Sequence, residues 1–222
     1  MGTMIELVAA DGFHLSAYRA DAPHAPRGGV VVVQEIFGVN SHIKSVCDGY
    51  AADGYLVIAP ALFDRCERGV DLGYTPADIA RGREIKAKTA TDPALLDVTA
   101  ARDVLAGSGK VGIVGYCWGG YIAWLCAARV GGLACAISYY GGGITDAAAE
   151  HPKCPVLAHF GERDSVIPIA AVKRFAAAHP EVEIHIYPAD HGFNCDQRAS
   201  YDPVSASLAR ERSLRFFRQH IG

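Results

Sequence analysis

The sequence predicts one α/β domain over residues 1–222, with a mostly parallel sheet and helices on both faces. Three observations predict it. Short apolar runs alternate with longer amphipathic stretches nearly to the end of the chain. Most of those runs are continuous rather than alternating, as in strands covered on both faces. Half of the residues are hydrophobic and only 20% are charged, which gives enough apolar surface to bury a large core and excludes a disordered chain.

Each element has its own signal. Residues 5–20 read as a hairpin that turns at Asp11-Gly12, a common turn pair. Residues 28–34 (GGVVVVQ) form a β-branched run and read as a buried strand. Residues 55–59 (YLVIA), 111–114 (VGIV), 134–138 (ACAIS) and 156–160 (VLAHF) are shorter strand runs bounded by Gly or Pro. Residues 182–187 (VEIHIY) alternate, as an outer or half-covered strand does. Helices are expected over 40–52, 76–106 with a break at Pro93, 121–129, 169–178 and 203–220.

Charge and composition remove several functions. The net charge is −3 and no basic run is present, so nucleic-acid binding is not expected. No stretch approaches ~20 uninterrupted apolar residues, so no membrane span is expected. The start, MGTMIELVAADG, lacks a basic n-region and an apolar signal core. Seven cysteines, with no CxxC pair, then read as reduced thiols in a cytoplasm. No Cys or His pairs fall at finger-like spacing, so neither a metal nor any other cofactor is expected.

Ligands of open α/β sheets bind beyond the carboxyl ends of the strands, so the residues that follow each strand carry the chemistry. After 111–114 comes Gly115-Tyr116-Cys117-Trp118-Gly119 and then a helix. This is a strand-to-helix elbow with Cys117 as candidate nucleophile, on a helix N-terminus that favours a thiolate. The alternative is a structural cysteine in a glycine-rich turn. After 156–160 comes Asp164, able to orient a histidine or to cap the helix that follows. After 182–187 comes His191 beside a glycine, a candidate general base. Nucleophile, acid and histidine run in the order 117, 164, 191, the order of α/β-hydrolases. Oxyanion donors are then expected at the backbone N–H of Trp118 and of Ile36, in the loop after the first central strand. Glu35 is a carboxylate at the end of a very apolar strand. It either pairs at the sheet edge or faces Cys117 and influences its proton.

The segments QEIFGVN, GYCWGG, YYG, GERD and DHGF, with LARERSLRFF near the end, resemble the dienelactone hydrolase (carboxymethylenebutenolidase) family over residues 10–220. The resemblance implies the α/β-hydrolase fold and the opening of cyclic enol-lactones that carry a carboxylate. It implies a triad of Cys117, His191 and Asp164, a thiol-gating carboxylate at Glu35, and oxyanion donors at Ile36 and Trp118. Pocket walls fall at Phe37, Tyr139 and Tyr140; if both tyrosines are in extended backbone, only one can face the site. Founding members of the family hold the substrate carboxylate with two arginines. The first is best matched by Arg83, with Arg81 as second choice, and on a helix the two point to different sides. The position of the second holds Cys195, with Arg198 further on as its possible replacement.

The expected activity is therefore cysteine-dependent hydrolysis of an activated, carboxylate-bearing lactone. A broader carboxylesterase or thioesterase on the same triad is the alternative, and a non-catalytic binding module on the same fold is a third reading. The expected partner is a small-molecule lactone or ester, with the protein a monomer or small homo-oligomer.

Overall fold

A computed structural model describes residues 2–222. Eight strands form one sheet: β1 (Thr3–Val8), β2 (His14–Ala20), β3 (Gly29–Val33), β4 (Leu56–Pro60), β5 (Val111–Tyr116), β6 (Leu133–Tyr139), β7 (Val156–Gly161) and β8 (Glu183–Tyr187). Their spatial order is β1-β2-β4-β3-β5-β6-β7-β8. The β1–β2 and β2–β4 pairs are antiparallel and all the others parallel. The continuous apolar strands β3 and β5 are buried throughout and lie side by side at the centre. The alternating run became the edge strand β8, with Glu183 and Ile186 exposed and Tyr187 buried. No described helix is long and apolar enough to cross a membrane.

Six helices cover the sheet: α1 (Ser41–Ala52), α2 (Pro76–Lys88), α3 (Thr91–Leu105), α4 (Trp118–Arg129), α5 (Ile169–Ala178) and α6 (Pro203–His220). Phe217 of α6 packs edge-on against Tyr50 of α1, and Arg210 of α6 lies over the same ring. Trp124 of α4 meets Phe175 of α5 edge-on, and α3 packs beside α4. Helix α4 is buried on nearly all sides, as expected of a helix at the centre of a layered fold.

Strand ends agree with expectation to within two residues, and two helix boundaries differ by three or more. The break in 76–106 falls at Thr89–Ala90 and not at Pro93. Pro93 sits in the first turn of α3, where the missing N–H has no intrahelical partner to lose. Helix α4 begins at Trp118, three residues before the expected start, because the glycines of the elbow let it turn directly out of β5.

Candidate active site

The parallel register carries the loops after β3 and β5 to one place. Val33 lies opposite Gly115, and Tyr116 opposite Tyr139. Cys117 is the hinge between β5 and α4, at φ 55° and ψ −117°, a conformation that costs a residue with a Cβ. Its N–H is tied to the Tyr139 carbonyl at 3.0 Å. The glycines on either side permit the turn. A Cβ at Gly115 would lie 1.9 Å from the Gly119 carbonyl oxygen, and one at Gly119 would lie 2.4 Å from that of Val33. The half-buried Cys117 side chain is thereby pushed out at the end of the sheet.

The structure brings Cys117, His191 and Asp164 into one chain of contacts. His191 Nε2 lies 3.1 Å from Cys117 Sγ, and Nδ1 lies 2.8 Å from Asp164 Oδ2. Asp164 Oδ1 accepts the N–H groups of Val166 and Ile167 at 2.7 and 3.0 Å. Asp164 therefore holds its own loop, while α5 begins later, after Pro168. Burial works against a cation on His191, but the Cys117 sulfur and the Asp164 carboxylate outweigh it and raise the ring to about 10. The Tyr140 ring stands at 62° to the imidazole, with centroids 5.1 Å apart.

The loop after β3 is fixed from several sides. Gln34 accepts the Leu62 N–H at 3.1 Å, and Asn40 caps α1 while donating to the Leu72 carbonyl and the Tyr74 hydroxyl. Behind it, α2 approaches so closely that a Cβ on Gly82 would lie 2.2 Å from the Ile36 carbonyl oxygen. The N–H groups of Ile36 and Trp118 are given to no backbone carbonyl among the described residues. Both residues line the same cavity as Cys117 and His191.

That cavity has a volume of about 640 Å³. Phe37 forms one wall; Arg83, Lys86 and Arg198 bring three cations to it, and Asp146 and Asp190 two carboxylates. Arg198 lines this cavity, three residues beyond the buried Cys195. Arg81, two residues from Arg83, points away and pairs with Glu67 and Glu84. Lys86 is absent from the sequence-based candidates. Its signal was available: Ile79, Arg83 and Lys86 follow one another at i, i+4 and i+7, one face of a helix, and all three line the cavity.

Two further expectations are corrected. Neither Tyr139 nor Tyr140 lines the cavity, and both are fully buried. The Tyr139 ring stays in line with β6 and enters the core, where its hydroxyl meets Ser213 at 2.7 Å. Tyr140 turns at φ 38° and lies behind His191. Glu35 does not have Cys117 as its hydrogen-bond partner. Its carboxylate takes Arg198 Nη1 and the Tyr74 hydroxyl, each at 3.4 Å, because a carboxylate so deeply buried needs a cation or donor. Burial and that carboxylate together push the Tyr74 phenol up. Tyr74 was missed in the sequence because it belongs to a loop with no periodicity.

Comparison with known proteins gives the arrangement its context. The Dienelactone hydrolase family matches residues 15–221. A protein of Synechocystis sp. named "Putative carboxymethylenebutenolidase" is 36% identical over 212 residues, covering 86% of each chain. One of the same name from Azospirillum brasilense is 35% identical, covering 99% of this chain and all of its own. The crystal structure titled "Putative Dienelactone Hydrolase" from Klebsiella pneumoniae superposes with a TM-score of 0.87 at 33% identity, covering 99% of this chain and 100% of that one. With the family match over residues 15–221, and both sequence and fold shared over nearly the full length, this chain belongs to the dienelactone hydrolase family, whose members hydrolyse ester and lactone bonds.

Proposed function

We propose that the protein opens an activated enol-lactone bearing a carboxylate, with Cys117 as nucleophile, His191 as acid and base, and Asp164 as the group that orients His191. The observation that carries this reading is the Cys117–His191–Asp164 chain at 3.1 and 2.8 Å, opening on a cavity with three cations.

The steps follow from the surroundings of each group. The Cys117 thiolate, paired with the His191 imidazolium, attacks the lactone carbonyl and forms a C–S bond. The N–H groups of Ile36 and Trp118 receive the oxyanion. The ring C–O bond breaks and the enolate leaves, a leaving group good enough to depart ahead of the thiolate, taking up the proton of the His191 imidazolium. Acylation removes the charge from sulfur. The ring, neutral once it has given its proton to the leaving oxygen, takes a proton from water as water attacks the thioester. Collapse of the tetrahedral intermediate breaks the C–S bond, releases the acid and returns the thiolate–imidazolium pair.

Arg83 and Arg198 are the proposed partners of the substrate carboxylate, since the guanidinium fork matches it with two hydrogen bonds. Because Arg198 already holds Glu35, a bound carboxylate competes with Glu35 for it. The test is kcat/KM for an acidic enol-lactone and its neutral methyl ester in wild type, Arg83→Ala and Arg198→Ala. Each variant is expected to lose roughly ten- to a hundredfold on the acid alone, the equivalent of a charge-assisted hydrogen bond worth ~1.5–3 kcal/mol. Equal losses on acid and ester would show that the arginines shape the pocket without reading charge. Better turnover of neutral alkyl esters or thioesters than of the lactone would favour a general esterase.

A further inference from the structure

At the end of the loop after β3, three chemically distinct side chains converge. Glu35, His42 and Cys195 each offer one ligand atom, and these atoms lie within 4.8 Å of one another. All three residues are buried. They come from the end of β3, the first turn of α1 and the loop before α6, so no short sequence spacing reports them.

His42 is the most telling of the three. It is 3% exposed, and its Nδ1 faces Asp196 Oδ1 at 3.4 Å. Its other nitrogen, Nε2, is buried with no hydrogen-bond partner among the described residues. A buried imidazole nitrogen without a partner is costly. A carboxylate on one ring nitrogen with the other left free is the arrangement that orients a histidine toward a metal. His42 and Asp196 also line a second cavity, of about 290 Å³, which opens to the surface and does not include Cys117. Of the three cluster residues, His42 is the one that borders this cavity.

The geometry points to a transition-metal site formed by Glu35 Oε, His42 Nε2 and Cys195 Sγ, of the kind that takes Zn²⁺. One sulfur, one imidazole and one carboxylate suit a borderline-soft ion and not Mg²⁺ or Ca²⁺, which want oxygen ligands in larger number. Three protein ligands leave the fourth tetrahedral position for water. Donors at zinc distances of ~2.0–2.3 Å lie roughly 3.5 Å apart, so side-chain shifts of about an ångström close the site. Binding replaces the Cys195 S–H bond by a metal–sulfur bond and releases the proton to water. The ion also takes the carboxylate that Arg198 and Tyr74 now share, so occupancy is coupled to the charge lining the reaction cavity. The site does not depend on the reaction proposed above.

Co²⁺ tests it, because thiolate coordination gives a charge-transfer absorption band that oxygen and nitrogen ligands alone do not. Metal-stripped protein is titrated with Co²⁺ and then with Zn²⁺, in wild type, Cys117→Ala, Cys195→Ser, His42→Gln and Asp196→Asn. Circular dichroism confirms that each variant is folded. Wild type and Cys117→Ala are expected to bind one equivalent with the thiolate band, which Zn²⁺ displaces. Cys195→Ser should lack the band, and His42→Gln should bind at least tenfold more weakly. Asp196→Asn, an exposed change that spares the core, should weaken binding roughly ten- to a hundredfold, as loss of an orienting carboxylate does. No band in wild type would overturn the site. So would a band that survives Cys195→Ser and disappears in Cys117→Ala, which would put the ion on the reaction thiol.

Discussion

At Cys117, the backbone strain and the chemistry have one origin. The residue stands at φ 55° so that its sulfur can leave the sheet and reach His191. The two side chains then define each other's charge. The sulfur and the Asp164 carboxylate together hold the ring up at about 10 against burial, so removing the sulfur lets burial count for more. In Cys117→Ala the His191 ring should titrate below about 10, as followed by proton NMR of the imidazole. A ring that keeps its high pKa in that variant would mean that Asp164 alone sets it. These residues were legible in the sequence because each follows a strand and the order of three is distinctive. Glu35 was legible as unusual but its partners were not. Arg198 and Tyr74 are 163 and 39 residues away in the chain, and only the fold brings them together.

Helix α2 does its work through its backbone as much as through its cations. It opens with a capping box at Thr75 and Asp78 and Pro76 at its first position, which fixes where it starts. Gly82 then lets the middle of the helix rest on the Ile36 carbonyl. By helix propensity alone, alanine at this place would stabilise by about 1 kcal/mol. The contact reverses that expectation. Gly82→Ala should push the loop that carries the Ile36 N–H, lowering kcat by roughly tenfold to a hundredfold and destabilising the fold. Steady-state kinetics and urea unfolding check both. Unchanged kcat with raised stability would show that the loop does not depend on this packing. The same helix shows where sequence periodicity stops. Its two arginines were identified and their opposite orientations expected, yet the break after it was assigned to Pro93, since a proline in a first turn and one in a helix interior look alike in sequence.

Across the whole molecule, the reaction end of the sheet is braced by a buried polar network that no motif announces. His159 on β7 meets the Tyr187 hydroxyl at 2.8 Å and Ser213 Oγ at 3.0 Å, and Ser213 also meets Tyr139. Burial pulls the His159 pKa down, so the ring is neutral. One serine thus links α6 to β6 and β7, and through Tyr139 to the strand end whose carbonyl holds Cys117. Ser213→Ala leaves two buried groups short of a partner, at roughly 1–3 kcal/mol each. A lower urea midpoint with an unchanged slope is the expected result; a loss under ~0.5 kcal/mol would mean the network repairs itself. The alternation of strands and helices made the layered sheet legible, but interior pairings such as this one depend on strand order. The reading of Cys117 as nucleophile rests on the same architecture and has a direct measurement. Wild type and Cys117→Ala are quenched during turnover of an activated ester, and the intact protein and its peptides are weighed. Wild type should carry one acyl group mapped to Cys117, and Cys117→Ala should carry none and turn nothing over. Full turnover in Cys117→Ala, or an acyl group mapped to another residue, would contradict it.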